Sequence, residues 1–440
     1  MARYLILGSG PAGVAAAQAI RSQDAQSEVV LVGHEPFGYY SRPGLAYYLS
    51  GEIPEDGLFP IQAAEFQSMG VRQLQAEAVA IDPAGHQVQF KEGQRLTYDR
   101  LLLAVGAEAR HIRAPGSDLE GVVKLDTLAD ARQILKLARK AKAAVVVGGG
   151  ITALEIVEGL SARKVQAHYF LRKDRYWANV LDETESQVIQ DRLEEEGVRL
   201  HFHTDLAAIL GKRGRVRAVQ TEAGREIPCQ LVAVAIGIQP RLELAKSAGL
   251  QVERGVLVDE YLRSSAADIF AAGDVAQVYD PASGQHVLDS LWDAARGQGH
   301  AAGLNMTGLQ TPYLKPVPFN VTRLAGLTTT IIGTVGRGDD PDLKSIMRGD
   351  SETWRQLPDA IVSQTGFSVN QIRLLVGEQR LLGAIVMGDQ TLSQALHHLV
   401  RDRADISPIR DQLIQPGADL VETLVDFWTT WRKNHGTQQS

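Results

Sequence analysis

Short apolar runs, each followed by a stretch of helical periodicity, organise most of this chain. Residues 3–8 predict a buried strand, 12–22 an alanine-rich helix and 28–33 a second strand, a βαβ unit of the expected length, about 30 residues. Aromatic residues and turn formers fill 37–48. Residues 95–107 predict an amphipathic turn, a buried strand and a tight glycine exit. A second βαβ unit starts near Ala143, with a helix at 153–163 and a strand at 165–171. The runs at 231–237 and 269–276 each predict a buried strand ending at glycine, and 292–308 predicts a helix whose small residues suit close approach. From about Pro312 the texture changes. Prolines, β-rich segments at 328–333, 371–376 and 381–387, a Gly/Asp-rich turn at 336–342 and helical patterns at 390–402 and 417–433 predict a separate α+β module.

The two βαβ units each carry a glycine-rich turn between strand and helix. The first reads Gly8-Ser-Gly10-Pro11-Ala12-Gly13, the second Gly148-Gly-Gly150-Ile151-Thr152-Ala153. In such a turn the first glycine permits the tight bend and the second lets backbone amides approach a pyrophosphate. The third small residue lets helix pack on strand. The helix N-terminus then offers unpaired N–H groups and a partial positive charge to the anion. Two such turns in one chain point to two nucleotides bound side by side.

Composition narrows the class. A chain of 440 residues predicts two or three domains, at about 150 residues each. The 44% hydrophobic and 22% charged content is that of an ordinary globular protein, and a net charge of −7 gives no bulk positive field for nucleic acid or anionic lipid. Met1-Ala2-Arg3 leads directly into the first strand, with no secretory apolar core, so the cytoplasm is the expected compartment. Cys229 is the one cysteine; no internal dithiol is available as a next stop for electrons.

Taken together, the motifs Gly8-x-Gly10-x-x-Gly13, Tyr40-Ser-Arg42-Pro43-x-Leu45, Tyr98-Asp-x-Leu-x-x-Ala-x-Gly106, Gly148-x-Gly150-x-x-Ala153-x-Glu155, Ala235-Ile-Gly237-Ile-x-Pro240 and Ile269-Phe-Ala-Ala-Gly273-Asp274 resemble the FAD- and NAD(P)-dependent pyridine-nucleotide oxidoreductases. Within that superfamily the chain is similar to rubredoxin and ferredoxin reductases and to the flavin-binding half of NAD(P)H-dependent nitrite reductases. The resemblance implies an α/β fold of two Rossmann-like dinucleotide-binding domains, of the glutathione-reductase type, with a C-terminal α+β interface domain. It divides the chain into a discontinuous FAD domain (1–112 and 242–312), an inserted NAD(P) domain (113–241) and the interface domain (313–440). FAD is then held by Gly8, Gly10, Pro11, Ala12, Gly13, Arg42, Pro43, the backbone at Val79, Gly106, Gly273 and Asp274. The nicotinamide cofactor falls to Gly148, Gly150, Ile151, Thr152, Glu155, Arg172 and Gly237. Glu155 and Arg42 are the expected electrostatic residues near the flavin, and no metal is implied.

The chain departs from the pattern at four points. The acid expected at the end of the second strand, for the adenosine ribose hydroxyls, is displaced: His34 stands there and Glu35 follows, with Glu35 preferred. In the second unit Leu171 takes the equivalent place, followed by Arg172-Lys173-Asp174-Arg175. The missing acid and the cations favour NADPH over NADH. Tyr47 stands where relatives often carry a lysine that pairs with the glutamate matching Glu155, and Arg42 is the available substitute. Pro43 occupies the place of the redox cysteine of disulfide-reducing relatives, while Cys229 lies at the entrance to a buried strand and reads as structural.

The resemblance therefore implies hydride transfer from NAD(P)H to FAD and delivery to an external acceptor, a small redox protein of rubredoxin or ferredoxin type. Alternatives are an oxidase or quinone reductase, the electron-input subunit of a larger complex, and a non-catalytic flavoprotein. A homodimer is the family-level expectation. His201-x-His203 would point two imidazoles to one strand face, half a metal site, and His397-His398 read as solvated residues on different helix faces. The apolar spacing of Leu420, Leu424, Phe427, Trp428 and Trp431 predicts a helix, and its acidic neighbours Asp419, Glu422 and Asp426 favour packing on the C-terminal module or across a dimer over a membrane surface.

Overall fold

The computed structural model describes residues 1–281, 283–335, 348, 361–367, 370–415 and 419–435. The chain divides into two compact units. One comprises Met1–Phe170, Thr204–Lys315 and Ser345–Asp350, the other Leu171–His203, Pro316–Lys344 and Ser351–Ser440.

In the first unit, apolar strands with few polar interruptions form parallel sheet, as strands covered on both faces must. Five strands run in the order Ile269–Ala271, Arg100–Leu103, Arg3–Leu7, Glu28–Gly33, Val71–Gln75, all parallel. Leu5, Ile6, Leu101, Leu102 and Val30 are fully buried and centre the main core. Helix Pro11–Gln23 follows the first strand, and helix Trp292–Met306 lies against it. Small residues set that approach: a methyl group on Gly299 or Gly303 would run into the Ala12 or Ala16 carbonyl. A second parallel set runs Gln166–Phe170, Ala143–Val147, Leu231–Val234, Val122–Val123, with helix Ile151–Ala162 after the glycine turn. Residues 95–97, expected as a turn, form a short strand that closes an antiparallel sheet with Ala78–Asp82 and Gln87–Phe90. Pairing to a neighbour overrides the weak local signal there.

The second unit is built on an antiparallel sheet in the order Phe319–Leu324, Leu327–Gly333, Leu381–Met387, Asn370–Val376, Ile361–Phe367. Helices Ser393–Arg401, Arg410–Leu413 and Leu420–His435 accompany it. Leu420 and Leu424 are buried in that core, with Phe427 and Trp431 partly buried against it, so the final helix packs on its own module. The Gly/Asp-rich turn at 336–342 lies outside the described residues. His397 and His398 are not simply solvated. His397 stacks on Phe319 at 4.4 Å between centroids and His398 lies 5.8 Å from Trp428, because the C-terminal helix returns over them. Among the described residues no helix is long and apolar enough to cross a membrane.

Candidate functional site

The first glycine turn has the geometry its spacing predicts. Gly8 takes φ +118°, donates its N–H to the Val32 carbonyl at 2.8 Å, and has no room for a side chain beside the Ala104 carbonyl. A Cβ on Gly13 would collide with the Gly8 carbonyl, whereas one on Gly10 would meet nothing within 4 Å. The turn is therefore closed behind Gly8 and Gly13 and open in front of Gly10. Pro11 starts the helix, where a missing N–H costs nothing, and Ala12 is buried beside it. Neither glycine-turn helix has a side-chain cap, while helices Leu128–Ala138 and Glu183–Glu195 carry complete capping boxes. Both turns leave their leading amides for something other than the protein's own side chains.

Gly273 and Asp274 meet this turn. A methyl on Gly273, at φ +79°, would lie 3.1 Å from the Ala12 Cβ, and the Gly273 N–H donates to Gln298 Oε1 at 2.7 Å from the adjacent buried helix. Burial pushes the Asp274 carboxyl up, partly offset by Arg348 and Arg42. Gly106 takes φ +68° with open space at its Cα. Val79 sits at a register shift in its strand pair and is 43% exposed, which releases its backbone from the ladder.

At the end of the second strand, His34 is exposed and Glu35 is already engaged. Glu35 Oε2 accepts from the Tyr40 hydroxyl at 2.8 Å and Oε1 from Arg42 Nη2 at 2.7 Å. The Tyr40 oxygen accepts in turn from the Leu128 N–H at 3.1 Å. Arg42 Nη1 donates to the Asp126 carbonyl and approaches Asp126 Oδ1 at 3.5 Å. Both terminal nitrogens of Arg42 thus engage Glu35 and Asp126, and Tyr47 is 37% exposed. Pro43 is exposed beside it.

Asp126 is the centre of this cluster and carries no motif. Its carboxylate pairs with Arg348, with Arg241 Nη2 at 3.2 Å and with Lys124 Nζ at 3.8 Å, besides Arg42. Burial would raise its pKa, but Arg348, Arg42, Lys124 and Arg241 together hold it below the usual value. A second unheralded group is the buried pair Lys315 Nζ–Asp289 Oδ2 at 3.7 Å, whose carboxyl burial pushes up. Neither was visible in the sequence, because their partners lie far apart along the chain.

The second turn repeats the logic. Gly148, at φ +147°, has the Ala235 carbonyl where a Cβ would go, and Gly149 faces open space. Gly237 takes φ +113° and is buried. Ile151 is buried at the head of the helix, with Thr152 and Glu155 partly exposed a turn apart. Helix Gly44–Ser50, which begins just after Pro43, packs on helix Ile151–Ala162, and Arg163 Nε donates to the Leu49 carbonyl at 3.2 Å. In the second unit Leu171 is buried and donates its N–H to the His201 carbonyl at 2.9 Å; Arg172 is exposed and Arg175 pairs with its neighbour Asp174 at 3.1 Å.

The His201-x-His203 pair does not form the half site its spacing suggests. The strand Arg199–His201 ends at His201, and His203 has φ +47° in the turn beyond it, so the two imidazoles do not share a strand face. Among the described residues no cluster of three or more His, Cys, Asp or Glu side chains suits a metal. Cys229 is fully buried, and burial pushes its thiol up to about 12.

The open Gly10 face, two uncapped helix starts and a nearby guanidinium cluster fit dinucleotides carrying diphosphates. The family model for pyridine nucleotide-disulphide oxidoreductases matches residues 2–299. The chain is 33% identical over 414 residues, 92% of its length and 98% of the relative's, to the ferredoxin–NAD(+) reductase component of the biphenyl dioxygenase system of Paraburkholderia xenovorans. It is 31% identical to a rubredoxin-NAD(+) reductase of Pseudomonas putida, over 75% of this chain and 86% of that one. In fold it is similar to the ferredoxin reductase for the CYP199A2 system of Rhodopseudomonas palustris, with a TM-score of 0.85, 24% identity, and coverage of 96% and 100%. The chain belongs to the pyridine nucleotide-disulphide oxidoreductase family, as an FAD-dependent NAD(P)H oxidoreductase.

Proposed function

We propose that this enzyme takes reducing equivalents from NADPH in preference to NADH and passes them to a small ferredoxin- or rubredoxin-type redox protein in the cytoplasm, working as a homodimer. The observation that carries the acceptor is the near end-to-end similarity to a ferredoxin–NAD(+) reductase component, in a chain whose one cysteine is buried. When bound, FAD supplies a ring that accepts a hydride and releases electrons singly.

In this reading the FAD domain is 1–112 with 242–312, the NAD(P) domain 113–241 and the interface domain 313–440. Gly8, Gly10 and Gly13 with the head of helix Pro11–Gln23 bind the FAD diphosphate. Asp274 holds the ribityl side, the Val79 backbone meets the adenine, and Pro43 with Gly106 borders the ring. Gly148, Gly150 and Gly237 receive the nicotinamide cofactor, with Glu155 at the meeting of the two rings. The packing of helix Gly44–Ser50 on helix Ile151–Ala162 aligns the two sites, and alignment is the protein's main contribution to hydride transfer. No side chain acts as nucleophile. Leu171 offers no carboxylate to the nicotinamide cofactor's ribose, and Arg172 follows it, which supports NADPH.

Anaerobic titration of the purified protein with NADH and NADPH in parallel, followed by addition of ferredoxin or rubredoxin, tests the coenzyme and the acceptor. Bleaching of the flavin, faster with NADPH, and reoxidation by the carrier protein are expected. Equal or faster bleaching by NADH overturns the coenzyme preference. Steady oxygen consumption without a carrier replaces the acceptor by oxygen, and failure of both cofactors to bleach the flavin removes the enzymatic reading.

A further inference from the structure

Leu49 is held in two ways by the helix of the second glycine turn. A methyl group on Gly159 would lie 2.8 Å from the Leu49 Cβ, and Arg163 Nε donates to the Leu49 carbonyl at 3.2 Å. Arg163 Nη2 also approaches the Tyr48 carbonyl at 3.5 Å, and it lies 3.2 Å from where a side chain on Gly51 would begin. The guanidinium therefore covers the C-terminal end of helix Gly44–Ser50, where the last carbonyls carry a partial negative charge and lack helical partners.

Arg163 is not required to end that helix. Gly51, at φ +86°, closes it by donating its own N–H to the Tyr47 and Tyr48 carbonyls at 3.0 and 3.2 Å. The arginine instead ties one element to another. Its main chain is fixed as the cap of helix Ile151–Ala162, with its N–H on the Leu160 carbonyl at 3.0 Å. Glu155, Gly159 and Arg163 follow one another at intervals of four and so share one row, about 12 Å long. The row runs from the second glycine turn to Leu49, and the helix that carries Leu49 begins directly after Pro43.

We propose that Arg163 is a positioning residue for hydride transfer, an inference that rests on the reading of the two glycine turns as FAD and nicotinamide sites. By fixing the end of helix Gly44–Ser50, it sets the head of that helix, beside Arg42 and Pro43, relative to Glu155. It acts through Leu49 and not on either cofactor. A hydride passes only between rings held close and aligned, so a small slip between these two helices is expensive in rate.

The test is anaerobic stopped-flow reduction of the FAD-loaded protein by excess NADH and NADPH, with amide hydrogen exchange of residues 44–50 measured in parallel. Arg163→Met keeps an apolar stem and removes the donors. Its limiting reduction rate should fall about fivefold or more, with coenzyme affinity within about twofold of the parent. The transient long-wavelength charge-transfer absorbance of the coenzyme–flavin pair should weaken. Exchange in 44–50 should stay within about twofold, because the Gly51 cap remains. Arg163→Lys retains a charged donor and should recover part of the rate. A limiting rate within about twofold of the parent overturns the proposal, as does a loss carried wholly by coenzyme affinity. Faster exchange across 44–50 makes Arg163 a helix cap and also overturns it, and so does a lysine variant no faster than the methionine one. A parent protein that takes up no flavin, or whose flavin neither coenzyme reduces, sinks the reading of the two turns instead, whatever the variants do.

Discussion

Gly159 lies against Leu49. A methyl group on Gly159 would sit 2.8 Å from the Leu49 Cβ, so the helix of the second glycine turn meets the helix that follows Arg42 and Pro43 with no room for a side chain at that point. Any side chain there must push the helices apart. Gly159→Val should cost about 1–3 kcal/mol in stability through overpacking and slow flavin reduction by NAD(P)H at least about tenfold, since small displacements of aligned reactants are expensive. Stopped-flow reduction alongside a thermal melt checks both; an unchanged reduction rate would detach this contact from cofactor alignment.

Gly10 and Gly13 should separate folding from cofactor binding. Gly13→Ala places a methyl on the Gly8 carbonyl and should lower stability and flavin content together. Gly10→Ala meets no protein atom within 4 Å, so the apoprotein should melt within a few degrees of the parent while FAD affinity falls about tenfold or more, ~1.4 kcal/mol. Equal FAD affinity in Gly10→Ala would place the diphosphate elsewhere.

Cys229 should be chemically silent. With the thiol buried and pushed up to about 12, a thiol-specific disulfide reagent at mildly alkaline pH should label the protein only after denaturation. Cys229→Ala should retain NAD(P)H-driven flavin reduction and lose about 1 kcal/mol of stability. Labelling of the folded enzyme with loss of activity would reopen a thiol relay.

Arg373 anchors the second unit. Its nearly buried guanidinium donates to Glu185 Oε1 at 2.9 Å, to the Val180 carbonyl at 2.7 Å and to the Val335 carbonyl at 3.0 Å. Arg373→Met leaves Glu185, 2% exposed, without its charge partner and should destabilise the protein by about 3–5 kcal/mol in denaturant titrations. Arg373→Met with Glu185→Gln should recover much of that loss, because the uncompensated buried charge is the main penalty.

Glu55 supplies a small acid-sensitive contact. Its carboxyl is held at about 2, first by the Arg132 guanidinium hydrogen bonds and then by the Tyr48 hydroxyl, with Arg132 Nη2 at 2.6 Å. Because the folded pKa lies below the ordinary 4.5, the contribution is present above that value and fades as pH falls toward about 2. Both side chains are more than a third exposed or close to it, so the contribution is below ~1 kcal/mol. Glu55→Gln should flatten the stability profile between those two pH values by no more than this amount, seen in chemical denaturation at several pH values.

Much of the site was legible because its signals are local. The glycine spacings at 8–13 and 148–153 and the apolar strands before them are short-range patterns, and the backbone angles at Gly8 and Gly148 follow from them. The pairing of Asp126 with Arg241 was not legible, since 115 residues separate them and neither lies in a motif. His201-x-His203 misled because alternation was carried one turn past the end of the strand. His397 and His398 misled because their polarity hid the aromatic partners, Phe319 and Trp428, brought to them by the sheet and the returning helix.

Local pattern alone specified the two glycine turns, the parallel strands feeding them, the lone structural cysteine and the helical C-terminal tail, because each depends on residues within one or two turns of one another. Which charges meet was set by the packing of the folded chain. Glu35 became the partner of Arg42, Asp126 gathered four cations, and Gly159 closed on Leu49, because such contacts depend on how distant segments pack and no local pattern encodes a neighbour across the fold.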